Sequence, residues 1–311
     1  MNLTGSICAL ATPFQVANDA LDLDAAGRLI EYQLAAGTQA LVIAGSTGEG
    51  AALDTDEFVA LLETAVRIVA GRVPVLAGTG LQSTRKTIAQ TRLAASAGAD
   101  AALVVAPPYV RPTQEGLYRH FVEVAEHGGL PVMLYNVPSR TACDLLPATT
   151  ERLSSHARIF GIKEARAEAE RMDALLAFRS AQFRVYSGDD PTCARAIGSG
   201  ADGVVSVAAN VVPGRMQRLC LSAAGKDAAE TRRADAELAG LHELLGVEPN
   251  PIPLKWCLNR MGFGANHLRL PLLPLGAAYH AQGERVLEEL GLIESVDSRA
   301  PTGTMNLESI K

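Results

Sequence analysis

The sequence predicts an α/β fold: a (β/α)8 TIM barrel with a C-terminal helical extension. Three observations carry that expectation. Eight short runs rich in Val, Ile and Leu fall within roughly the first 210 residues, mostly uninterrupted by charge. Continuous apolar strands suit a parallel sheet covered on both faces, and that length suits an eight-stranded barrel. Longer stretches with helical spacing separate the runs. A small glycine motif recurs where a helix hands over to the next strand: Ala36-Gly37-Thr38, Ala97-Gly98-Ala99 and Ser199-Gly200-Ala201. Glycine there can take the left-handed conformation that ends a helix.

The expected strands are Ile7–Thr12, Ala40–Ala44, Val73–Ala77, Ala101–Ala106, Val132–Tyr135, Ile159–Lys163, Phe183–Ser187 and Gly203–Val207. Helices are expected over Asp22–Ala36, Asp54–Ala70, Ser83–Ala97, Thr113–Glu126, Pro147–Ser155, Glu168–Arg179, Asp190–Gly198 and Pro213–Ala224. Asp54 with Glu57 three residues on forms a capping box, and Phe58, Leu61, Leu62, Ala65 and Ile68 make one apolar face. Ser83 is placed to cap its helix. After Ala224 strand signals stop, and helices are expected over Asp227–Leu245, Pro253–Met261 and Leu275–Leu290. The expected division is therefore a catalytic barrel over 1–224, a helical extension over 225–297 and a loose polar tail over 298–311.

Composition excludes several classes. Of 311 residues, 48% are hydrophobic and 20% charged, with a net charge of -6 and no long basic run. A surface for nucleic acid or anionic membrane is not expected. Small anionic substrates stay open, because one local basic group suffices to bind them. The five cysteines, Cys8, Cys143, Cys193, Cys220 and Cys257, are scattered and odd in number, with no CxxC pair. That argues against a disulfide framework or a zinc site and for reduced thiols. MNLTGSICAL lacks the basic segment and apolar stretch of a secretory leader, and no run of 18 apolar residues exists. A cytoplasmic protein is expected.

In a parallel α/β barrel, chemistry gathers where strands end and βα loops begin. Strand two ends in Gly45-Ser46-Thr47-Gly48-Glu49, strand four in Pro107-Pro108-Tyr109, strand five in Tyr135-Asn136-Val137-Pro138-Ser139-Arg140, strand six at Lys163, and strand eight carries Val205. These positions bring hydroxyls, phenols, an arginine and a lysine to one mouth. Lys163 closes an apolar run, so its amine is poorly hydrated, and desolvation favours the uncharged form. An uncharged amine can attack a carbonyl and form an imine. Asp189-Asp190 has no nearby histidine or third carboxylate, so Asp190 reads as a helix cap rather than a metal ligand.

GSTGE, YNVPSRT, GIKEA, SGDD, GVVSVAANV and EPNPIPLKW, in that order and at that spacing from Gly5 to about Leu290, resemble the dihydrodipicolinate synthase family of pyruvate-dependent lyases and aldolases. YNVPSRT followed by IKEA is the most specific pairing. The resemblance implies a lysine imine with pyruvate, condensation with L-aspartate 4-semialdehyde, a place in lysine and diaminopimelate biosynthesis, and no metal or organic cofactor. It implies Lys163 as the imine-forming residue and Tyr135 as the proton-transferring phenol. Ser46, where the family commonly has threonine, would share a hydroxyl relay with Tyr135. Tyr109 would reach into a neighbouring subunit's site. Thr47 and the backbone at Val205 would bind pyruvate, and Arg140 would hold the second substrate's carboxylate. A homodimer is the least this requires, and a dimer of dimers, a homotetramer, is what the family suggests.

Two departures bear on regulation and assembly. Pro108 stands where many relatives stack an aromatic across a dimer interface. Positions matching an allosteric lysine site are Gly50, Thr55, Phe58, Gln82, Lys86 and Pro108, and Lys86 in place of an acid would repel the effector's ammonium group. Weak or absent inhibition by lysine is expected. Sister activities on the same scaffold, N-acetylneuraminate lyase and 2-keto-3-deoxy-sugar-acid aldolase, share the lysine, the tyrosine and the GSTGE-like turn but generally lack an arginine at position 140. A non-catalytic pyruvate-binding homologue would have no reason to keep Lys163, Tyr135, Ser46 and Tyr109 together.

Overall fold

Eight parallel strands close on themselves in sequence order: β1 (Gly5–Ala9), β2 (Ala40–Ile43), β3 (Val75–Gly78), β4 (Ala101–Val105), β5 (Val132–Asn136), β6 (Ile159–Glu164), β7 (Arg184–Ser187) and β8 (Gly203–Ser206). The computed structural model describes residues 3–294. The barrel helices are α1 (Leu23–Ala35), α2 (Thr55–Val69), α3 (Thr84–Ser96), α4 (Gln114–His127), a short α5 (Pro138–Thr141) with α6 (Pro147–Ser154), α7 (Ala169–Leu176), α8 (Cys193–Gly198) and α9 (Pro213–Ala224). Then come α10 (Ala228–Gly246), α11 (Ile252–Arg260) and α12 (His280–Glu289). The tail expected over 298–311, and the last residues of the extension, lie outside the described residues.

Two apolar layers result from strand alternation. Outward residues such as Cys8, Leu41, Ile43, Val104, Leu134 and Ile162 pack against the helices. Inward residues, among them Ile7, Val42, Leu76, Met133, Tyr135 and Val205, fill the barrel. The three repeated glycines do take left-handed φ: Gly37 at 83°, Gly98 at 89° and Gly200 at 120°.

Strand β6 breaks strict alternation. Ile159 pairs with Val132, but the next pair is Met133 with Gly161, so Phe160 is one residue extra. Ile159 packs outward and Phe160 inward. Counting on from Phe160 would put Lys163 outside. The bulge instead returns Ile162 to the outer layer and turns Lys163 into the barrel.

Several local expectations are corrected. Asp190 does not cap its own helix, which begins only at Cys193. Its carboxylate accepts from the Val207 and Ala208 N–H groups at 2.9 and 2.8 Å, starting the 3-10 turn after β8. Ser83 stands at the N-cap of α3 without a side-chain cap bond; the Thr87 hydroxyl holds the preceding loop through the Leu81 N–H. Helix α7 stops at Leu176, and Arg179, expected as its last residue, lies beyond it and binds Asp202. Residues 277–279 form a separate 3-10 turn, so the last helix starts at His280.

Candidate active site

Tyr135 and Lys163 are register partners on adjacent strands and both point into the barrel. Lys163 is 5% exposed and Tyr135 6%. The Lys163 Nζ stands 4.3 Å from the Tyr135 ring centroid. Gly188, just after β7, leaves the space the lysine occupies: a Cβ there would meet Lys163 Cε at 2.8 Å.

A cavity of about 170 Å³ opens beside this pair, with Ser46, Thr79, Val105, Pro108, Tyr135 and Arg140 in its wall. Ser46 and Arg140 also border a second, adjoining cavity of about 330 Å³, together with Asn250 and Arg269. Ser46, Tyr135 and Arg140 therefore meet around one space, with Lys163 next to Tyr135. Val205 is buried in the same interior layer as Tyr135. Thr47 is buried and does not line the cavity; its hydroxyl accepts a bond from the Asn250 amide at 3.0 Å. Tyr109 is brought to none of these groups. It is 87% exposed, with a left-handed φ of 73°.

Residues of the extension beyond α10 hold the rim. Asn250 donates to Thr47, and its carbonyl accepts from the Arg140 guanidinium at 2.7 Å. Beneath the GSTGE turn, Glu49 and Lys255 form a buried ion pair at 2.6 Å. Burial pushes the Lys255 ammonium below the ordinary lysine range, and Glu49 opposes that shift. The other Glu49 oxygen accepts the Arg269 N–H. Arg269 in turn grips Glu57 through two bonds, at 2.6 and 2.5 Å. EPNPIPLKW marked this stretch in the sequence, but only the fold shows that Asn250 and Lys255 reach the loop after β2.

Behind the strands, Glu164 is fully buried, and burial pushes its carboxyl up to about 7 against bonds from Asn136 and the Arg166 N–H. YNVPSRT and GIKEA contain Asn136 and Glu164, but nothing in the sequence said that these two side chains meet. Among the described residues, no cluster of three or more His, Cys, Asp or Glu is placed to hold a metal ion. No helix among them is long and apolar enough to cross a membrane.

A lysine amine on a dry strand end, beside a phenol at the C-terminal mouth of a (β/α)8 barrel, defines the class of imine-forming barrel enzymes. The sequence model of the Dihydrodipicolinate synthetase family matches residues 2–290, and the chain belongs to that family. It is 53% identical over 298 residues to the 4-hydroxy-tetrahydrodipicolinate synthase of Stenotrophomonas maltophilia strain K279a, covering 96% of this chain and 100% of the relative. It is 56% identical over 299 residues to that of Xanthomonas axonopodis pv. citri, covering 96% and 98%. The crystal structure of the dihydrodipicolinate synthase of Acinetobacter baumannii, complexed with pyruvate, superposes with a TM-score of 0.91 at 40% identity, covering 94% of this chain and 100% of that one.

Proposed function

We propose that this chain carries out the reaction of the 4-hydroxy-tetrahydrodipicolinate synthases, condensing pyruvate with L-aspartate 4-semialdehyde through an imine on Lys163. The observation that carries the proposal is the buried Lys163 amine beside the Tyr135 ring at the barrel mouth. The amine adds to the ketone carbon of pyruvate, and loss of water leaves a cationic imine. That cation acidifies the adjacent methyl, which loses a proton and becomes a nucleophilic enamine. The enamine carbon attacks the aldehyde of the second substrate. The amino group of that substrate then displaces Lys163 from the imine carbon and closes the ring. Every step moves a proton, a task suited to Tyr135 and Ser46 at the cavity wall.

Arg140 is the proposed carboxylate anchor for the second substrate. Its planar fork can grip a carboxylate bidentately, and the Asn250 carbonyl already orients it. This favours the synthase reaction over the sugar-acid aldolases. Thr47 and the Val205 backbone are the proposed pyruvate contacts, Thr47 being held by Asn250. Tyr109 is proposed to serve a second copy's site: its exposure and left-handed backbone suit a residue presented outward. A homodimer is then the working unit, and a dimer of dimers the proposed assembly. The division into a catalytic barrel over 1–224 and an extension from 225 belongs to the same reading, with the extension bracing the rim. Five buried, unpaired thiols support a reducing, cytoplasmic location.

Weak or absent inhibition by lysine is also proposed. Gly50, Gln82 and Pro108 border the 170 Å³ cavity without offering an acid, and Phe58 is buried in the core. Millimolar lysine that halved the initial rate would overturn this point. The main test is borohydride reduction of protein mixed with pyruvate, followed by mass mapping. The expected result is one pyruvate-derived adduct on Lys163, and turnover with aspartate 4-semialdehyde but not with sugar-derived aldehydes. No adduct would leave a pyruvate-binding homologue as the better account.

A further inference from the structure

The proposed reaction uses the inward residues of two adjoining strand ends, Tyr135 and Lys163. Their outward neighbours, Asn136 and Glu164, are register partners in the same way. Both are fully buried. The Asn136 amide donates to the two Glu164 oxygens at 3.1 and 3.0 Å and to Asp144 Oδ1 at 2.9 Å. Its oxygen accepts the Leu145 N–H at 2.9 Å. Glu164 Oε1 also accepts the Arg166 N–H at 2.9 Å. The main chains of the same two residues extend the lattice: Ala165 N–H donates to the Asn136 carbonyl at 3.0 Å, and Gly188 N–H to the Glu164 carbonyl at 2.6 Å.

Two residues thus tie together the ends of β5, β6 and β7 and the segment after α5. Aliphatic side chains could fill the same volume without the cost of a buried carboxylate, but they could not hold register at a strand end. Register matters here for a specific reason. The bulge at Phe160 leaves β6 with one residue more than β5 opposite it, so the pairing beyond it needs a lock.

We propose that Asn136 and Glu164 are positioning residues for the lysine chemistry, locking β5 to β6 beyond the bulge so that Lys163 is held over Tyr135. The inference rests on the reaction proposed above. The charged groups facing the pair are Asp144 after α5, Arg166 ahead of α7, and Arg171 on α7, whose guanidinium lies 4.0 Å from Glu164 Oε2 and 2.5 Å from Asp144. Glu168 joins the cluster by an ion pair with Arg166 and also feels the Arg171 charge.

The test compares wild type, Asn136→Ala and Asn136→Asp by the rate constant for borohydride-trapped adduct at saturating pyruvate, between pH 5.5 and 8.5, with melting temperatures for each. Asn136→Ala is expected to trap about 10- to 100-fold more slowly at a temperature where it stays folded, with a smaller change in KM for pyruvate. Asn136→Asp sets a second carboxylate against Glu164. At low pH the two share a proton and the strands stay joined; at high pH both ionise and repel. Its rate relative to wild type should therefore fall by about tenfold or more from pH 5.5 to pH 8.5. A lattice that serves stability alone would lower melting temperatures and leave the trapping rates of folded protein at the wild-type value. That result, or an Asn136→Asp ratio that does not change with pH, would overturn the proposal. No adduct in wild type would instead remove the reaction on which it stands.

Discussion

At the N-terminal end of the barrel, left-handed backbone falls mostly on glycine; at the C-terminal end it falls on residues that carry a Cβ. Gly5, Gly37, Gly71, Gly98, Gly129 and Gly200 take positive φ at strand starts and αβ joins. Of the eight described non-glycine residues with positive φ, Asp19, Ala44, Glu49, Tyr109, Arg111 and Ala142 lie in βα loops, Ala142 closing the short α5, and only Ala70 and Lys226 lie outside them, after α2 and α9. Each such residue costs roughly 1–2 kcal/mol. The mouth holds a strained shape where ligands would bind, while the floor uses the residue that adopts that shape without penalty.

Two buried carboxylates repeat the contrast. Asp202, at the floor, loses hydration on burial, but two bonds from Arg179, one from Arg184 and the Val185 N–H hold its carboxyl below the usual range. Glu164, at the mouth, has a neutral amide and one N–H as its nearest donors, and burial pushes it up to about 7. The floor is saturated for stability. The mouth keeps groups in states that cost stability, which is the expected bargain at a reactive site.

The largest expected effect is at the mouth. Lys163→Ala should lower kcat by at least about 10⁴-fold, because the covalent route disappears, while thermal unfolding shows the variant no less stable than wild type. Unchanged turnover would end the imine reading. Asp202→Asn should do the reverse, costing about 3 kcal/mol in guanidinium unfolding by unpairing buried charge, with kcat and adduct yield intact. A fall in kcat without destabilisation would break the division between the two ends.

Glu164 supplies a smaller, pH-dependent effect. Its folded pKa is raised, so the native protein binds the proton more tightly than the unfolded chain, and stability is lost as pH rises from about 4.5 through about 7. From pH 5 to pH 8, wild type should lose on the order of 2–3 kcal/mol relative to Glu164→Gln. His120, held near 4 by burial, changes stability in the opposite direction but is present in both proteins and cancels. A pH-independent difference would mean that Glu164 is ionised throughout. Gly188→Ala is the mildest change: its methyl displaces the flexible end of Lys163, and adduct formation should slow by about tenfold. Wild-type trapping by that variant would show that the lysine does not need the space.

Much of this molecule is local and was legible in the chain. Eight apolar runs, the glycines that end helices, the Asp54–Glu57 capping box and the GSTGE turn depend on residues near one another in sequence, as does the amine at the end of an apolar run. The motif order was enough to suggest the family. The site's bracing was not legible, because its partners are remote: Asn250 binds Thr47 across 203 residues, and Lys255 binds Glu49 across 206. Asp190 shows the same limit, since its cap serves a turn 17 residues further on.

The order of strands and the chemical character of Lys163 were set by sequence alone, because apolar periodicity and residue type act through nearest neighbours. Which face Lys163 would take was decided only by tertiary structure. Alternation counted from Phe160 turns the amine outward, toward the helices; the pairing of β6 with β5 inserts one residue and turns it inward. A bulge is a mismatch between two strands, so neither strand carries it alone.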